Sequence, residues 1–113
     1  MIIKSQNELT SKEIISFESK NSLSRLILVN ENFQISFMEI GPAGVLGMHK
    51  AHSDQIFIVV SGSGWVSDRD AFKSAINEND CVFWQKDEWH ETGSDNGLKA
   101  VIIEGSELYP RFF

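Results

Sequence analysis

A chain of 113 residues is enough for one domain around one packed core. With 42% hydrophobic residues and three tryptophans it is too apolar for a disordered segment. A net charge of −6 and an isoelectric point near 4.9 argue against phosphate backbones and anionic lipids, so neither nucleic acid nor a membrane surface is an expected partner.

The opening "MIIKSQNELTSKEIISF" has no apolar stretch of signal-peptide length, and no segment approaches a membrane span, so a soluble, cytoplasmic protein is expected. Within it "TSKEIISF" carries a capping-box pattern from Thr10 to Glu13, compatible with a short helical turn or an edge strand. Then come "RLILV", "FQISFMEI", "QIFIVV", "GWVS", "FKSAI", "CVFW" and "KAVIIE", each short and rich in Val, Ile and Phe. Between them "VNEN", "GPAG", "SGSG", "SDRD", "NEND", "KDE" and "SDNG" are clusters of turn formers. Asn96-Gly97 is the best local hairpin signal, because a type I′ turn needs positive φ at both central positions. Strands at turn-bounded intervals, without helical periods between them, predict an all-β sandwich or barrel. The single cysteine, Cys81 in "CVFW", is expected as a small buried core residue, and the chain has no intramolecular disulfide framework. The terminal "YPRFF" is expected to pack on the barrel or on a second subunit rather than spend its aromatics on solvent.

Two polar clusters carry the chemistry. In "GMHKAHSDQIFIVV", His49, Ala51 and Gln55 share a strand parity that His52 does not, although a turn at "HSD" weakens parity there. The second cluster, "DEWHETG" around His90, follows the apolar "CVFW". Two such strand ends can meet inside one small barrel.

These clusters resemble the two motifs of the cupin superfamily, G-x5-H-x-H-x3,4-E-x6-G and G-x5-P-x-G-x2-H-x3-N. His49 matches the first histidine, Gln55 stands at the glutamate and Gly62 matches the closing glycine. His90 matches the second-motif histidine, while Asn79, Gln85, Asp87 and Ser94 occupy the places of its glycine, proline, glycine and asparagine. The motif matches fall within about 44–62 and 79–94, the resemblance implies a single cupin domain over 1–113, and the chain looks most like small single-domain cupins with glutamine for the motif-1 glutamate. The resemblance implies a double-stranded β-helix, or jelly roll, with a pocket inside the barrel and often one divalent transition metal (Fe, Zn, Ni or Mn) at its floor. Carried over, the ligand set is His49, Gln55 and His90, with Ala51 where a second histidine would stand and His52 as its candidate replacement. An amide offers no charge to offset a divalent ion, so the balance would fall to hydroxide, to an anionic ligand, or to Asp54 or Glu91 turned inward. Without an ion, His49, Gln55 and His90 are expected to form a hydrogen-bonded polar patch.

Of the three tryptophans, Trp65 and Trp84 are expected in the core, and Trp89, beside His90 in a charged loop, is the expected ligand contact. Three functions compete: a small-molecule-binding cupin using Trp89, His90, Gln55 and His49; a metal-dependent, oxygenase-like enzyme; and a metal-free isomerase or epimerase with a histidine base and Tyr109, the only tyrosine, as acid. A homodimer, joined through the N-terminal strand and "YPRFF", is expected in each case.

Overall fold

Alternation of buried and exposed side chains sets the architecture. Phe57 and Val59 on one strand, Met38 and Ile40 on another and Ala100 and Ile102 on a third all point to one interior, with their neighbours turned outward. The computed structural model describes residues 1–70 and 72–112. Its strands are β1 (Ser11–Glu13), β2 (Lys20–Val29), β3 (Phe33–Lys50), β4 (Asp54–Ser67), β5 (Lys73–Asn77), β6 (Cys81–Trp84), β7 (Trp89–Ser94) and β8 (Leu98–Gly105). The described pairings are antiparallel. No helix of the described residues is long and apolar enough to cross a membrane.

Two predicted turns are bends inside long strands. "GPAG" lies within β3 and "SGSG" within β4, and at each bend the strand changes partners. Residues 33–40 of β3 pair with β8, whereas residues 44–50 pair with β7. Residues 54–62 of β4 pair with β8, and residues 63–67 with β5 and β7. Two strands thereby belong to both walls, which closes the sheet into a barrel with no seam between its halves. Gly62 makes one corner possible: its φ is +80°, and a Cβ there would collide with the Gly97 carbonyl.

The Asn96-Gly97 turn is not the predicted hairpin. The strands it joins, β7 and β8, pair with β3 and β4 rather than with each other, and only Gly97 has a positive φ. Turn chemistry stops the chain here, but barrel closure chooses the partners. The N-terminal segment forms both of its alternatives: 3₁₀ turns at Gln6–Glu8 and Ser16–Glu18 flank edge strand β1. Its capping box sits earlier than Thr10, with the Ser5 amide donating to Glu8 at 2.9 Å. Cys81 is exposed rather than buried, because β6 pairs with β4 alone and begins at the barrel rim. Phe113 lies outside the described residues; Tyr109 and Phe112 are exposed, with Phe112 edge-on to Phe83 at 6.5 Å between ring centroids.

Phe57 anchors the core. Only 1% exposed, it meets the edge of Trp84 at 5.9 Å. Phe57→Ala is expected to lower unfolding free energy by about 3–5 kcal/mol in urea titrations; a loss below about 1 kcal/mol would contradict this packing.

Candidate functional site

One residue too many on β3 brings the two distant histidines together. Leu46 faces Thr92 and His49 faces His90, so three steps along β3 span two along β7. That bulge at Gly47 and Met48 returns His49 to the inward face of His90 and Thr92. The imidazole centroids are 4.4 Å apart, inclined at 57°. On the opposite wall β4 delivers Gln55, buried between its cross-strand neighbours Trp84 and Glu104.

These side chains line a barrel cavity of about 280 Å³, whose remaining walls are mostly apolar: Met38, Leu46, Phe57, Trp84 and Ile102 from the barrel, Ile14 and Phe17 from the N-terminal segment. Four rings form a column across it. Phe17 lies on His49 at 4.7 Å and 10°, His49 meets His90, and His90 lies on Trp84 at 4.2 Å and 18°.

The predicted residues divide clearly. His49, Gln55 and His90 converge, but among the described residues no hydrogen bond joins their side chains, so the expected self-satisfied patch does not form. Instead His49 Nδ1 donates to the Gly47 carbonyl at 2.7 Å, which fixes the tautomer and leaves Nε2 an acceptor. His90 Nδ1 is buried without a partner. His52 sits at the cavity mouth, its side chain 73% exposed and its Nε2 3.2 Å from Glu104, so the turn does not carry it to the floor. Trp89 requires a correction. It adjoins His90 on β7 and so points to the outer face, flanked by Arg69 at 4.6 Å and Lys50 at 5.7 Å from its ring centroid. Trp84 lies in the core as the sequence predicts and also lines the pocket. Strand parity is the signal that turns Trp89 away from His90, and it also marks Thr92, two residues beyond His90. Phe17 carries no such signal, since its contact with His49 exists only through the tertiary fold.

The donors do not fit the divalent metal that the motifs suggest. Both acidic candidates are committed elsewhere: Asp54 accepts from the Lys86 and Leu108 amides at 2.9 and 3.1 Å, and Glu91 alternates to the face opposite His90 and Thr92. Glu104 is turned to His52. Two imidazoles and one neutral amide remain, and among the described residues no three His, Cys, Asp or Glu side chains gather where an ion could be held. Tyr109, required as acid by the epimerase alternative, is 79% exposed and forms no part of the cavity wall.

A closed antiparallel barrel, two strands shared between its walls and an interior pocket floored by motif histidines define the cupin double-stranded β-helix, and this chain has that fold. The polyketide cyclase RemF from Streptomyces resistomycificus superposes with a TM-score of 0.83 at 15% identity, covering 97% of this chain and 82% of that one. A predicted oxalate decarboxylase from Thermotoga maritima gives 0.80 at 18% identity, covering 93% and 99%. An RmlC-like cupin from Shewanella frigidimarina gives 0.77 at 13% identity, covering 96% and 91%. No family profile and no curated protein matches the sequence. At such identities the likeness extends to the fold and leaves the activity open.

Burial pulls the His90 pKa from 6.5 down to about 4, with the charge of His49 adding to the shift and the Glu88 carbonyl opposing it. Because the folded-state value lies below the unfolded one, neutral His90 supports the fold above pH 6.5, and this support is lost as pH falls from there toward 4. Wild type is expected to lose about 3 kcal/mol more stability than His90→Gln between pH 7 and pH 4. Equal losses in urea titrations at the two pH values would show that the ring is solvated.

Proposed function

We propose that this protein is a small-molecule-binding cupin whose barrel pocket works without a bound metal. The observation that carries this reading is the donor set: two imidazoles, one amide and a threonine hydroxyl on the floor of a cavity whose inner walls are apolar and whose charged lining residues include Lys50 and Glu104, with the nearby carboxylates engaged elsewhere. Such a pocket offers hydrogen bonds to orient a ligand and apolar walls to take its body out of water. Among the described residues it lacks the third imidazole or the carboxylate that would complete a set able to hold a divalent ion against competition from water.

The known neighbours do not single out a reaction. One is named a polyketide cyclase and another a predicted oxalate decarboxylase, two different chemistries on the same barrel. The ground for the binding reading is therefore this chain's own cavity and donor set. A metal-dependent oxygenase remains the competing function, and it makes the opposite prediction about metal content.

Untagged protein, reconstituted with Fe(II), Zn, Ni or Mn and then desalted, is expected to retain less than about one tenth of an equivalent of each by elemental analysis. Stoichiometric retention of any of them would overturn the metal-free reading. Screening against a broad metabolite library is expected to yield compounds that raise the melting temperature. Leu46→Trp, which fills the cavity from β3, should abolish those shifts while keeping the wild-type circular dichroism spectrum.

We also propose a homodimer, built on β2 rather than on the chain ends. The strand β1 covers β2 only along residues 23–25. Beyond them Leu26, Ile27, Leu28 and Val29 form an uncharged run, each at least 42% exposed, on a strand edge with no described partner. An open apolar edge of this kind is suited to the same edge of a second copy, through antiparallel hydrogen bonds and matched side chains. Light scattering is expected to give twice the 12.8 kDa chain mass at micromolar concentration, and Leu28→Lys should return it to that of the monomer. A monomeric wild type would dismiss the pairing.

A further inference from the structure

One wall of the pocket is not part of the barrel. Residues 14–19 cross the mouth beside His49, held at both ends: the Ile14 amide donates to the Ser22 carbonyl at 2.9 Å, and the Gly47 amide donates to Ser19 Oγ at 2.9 Å. Between these anchors Phe17 and Glu18 have φ values of 56° and 59°, a left-handed pair that non-glycine residues rarely adopt. The segment lies so close to β3 that a Cβ on Gly47 would coincide with the Phe17 carbonyl. The Phe17 side chain is held in this strained arrangement while 59% of its residue surface stays in water. Its ring does one identifiable thing, which is to cover the face of His49.

Resting on the reading of the pocket as a small-molecule site, we infer that its ligand is an uncharged, planar ring compound bearing a hydroxyl group, and that this ring displaces Phe17 from the face of His49. Planarity follows from the ring column: removal of Phe17 leaves a flat imidazole face at the place where the mouth opens. The hydroxyl follows from the floor, where His49 Nε2 accepts and the Gln55 amide and Thr92 hydroxyl each donate and accept. A hydroxyl uses both kinds of partner at once. Neutrality follows from charge: among the described residues no Lys, Arg, Asp or Glu side chain stands on the floor, the ammonium of Lys50 at the rim reaches out to the Trp89 ring, and Glu104 on the wall is already turned to His52, so neither an anion nor a cation meets a free opposite charge. Size is set by the cavity of about 280 Å³, at the lower end for drug-sized ligands, which suits one or two rings. Displacement follows from the anchors: with Ile14 and Ser19 tied to the barrel, a swing of the residues between them costs the turn's own Ser19 amide to Ser16 carbonyl bond of 3.0 Å and releases two left-handed residues.

Three probes share a two-ring skeleton: 2-naphthol is planar, neutral and hydroxylated; 2-naphthoate is planar and anionic; decahydro-2-naphthol keeps the hydroxyl and loses planarity. By calorimetry near pH 7, wild type is expected to bind 2-naphthol about tenfold or more tightly than either other probe. Phe17→Ala and Phe17→Leu should tighten 2-naphthol about two- to tenfold, the worth of one aromatic pair no longer in competition. Equal binding of 2-naphthoate or of decahydro-2-naphthol overturns the ligand class. Weaker or unchanged binding in Phe17→Ala overturns the displacement. If none of the probes binds while a library compound still raises the melting temperature, the ligand class fails and the pocket stands. If no compound of any kind binds wild type or Phe17→Ala, both fail.

Discussion

The site depends on one bulge. Without the extra residue between Leu46 and His49, strict alternation along β3 would send His49 outward, because it stands an odd number of positions from inward-facing Leu46. The bulge does more than re-aim a ring. Its Gly47 supplies the carbonyl that accepts from His49 Nδ1 and the amide that donates to Ser19, and its missing side chain lets the N-terminal segment approach. Histidine orientation, tautomer and the covering of the mouth therefore share one local irregularity. A scaffold of this kind holds its polar groups precisely because the strands around them are regular and paired on both sides.

Electrostatics and packing act in the same direction inside the barrel. Stacking between Trp84 and Phe17 gives the two imidazoles apolar faces, and burial disfavours the charged form of His90. Acidic side chains that could have offset a cation are spent on architecture: Asp54 ties the loop at Lys86 and the chain near Leu108 to the start of β4. The result is a pocket that is polar at a few atoms and uncharged at its floor. Its chemistry is that of hydrogen bonding and shape rather than of metal coordination.

How legible this was depended on the range of the interactions involved. Strand segments around "FQISFMEI", "QIFIVV" and "KAVIIE" could be read because period-two burial is written into neighbouring residues. Spacing between motifs was enough to pair His49 with His90 and Gln55, since the fold they resemble brings those positions to one floor. Glycine clusters such as "GPAG" and "SGSG" do not distinguish a corner in a long strand from a turn between two strands, because both ask for the same residues. The charged neighbours of Trp89 suggest a ligand contact, although parity with the adjacent His90 turns it outward. Cys81 failed for a different reason: a short apolar run at an edge has one side that nothing covers.

By itself the sequence determined the all-β class, the positions of most strands and the residue types available for chemistry, because these rest on local propensity and on the two-residue repeat of an extended chain. Only the tertiary structure decided which strands share both walls, that β7 and β8 do not pair, that Asp54 and Glu91 stay away from the floor and that Phe17 covers His49. Those outcomes depend on register and closure, which are settled between segments distant in the chain. A single inserted residue reverses which face a side chain takes, and no local pattern around His49 records that insertion.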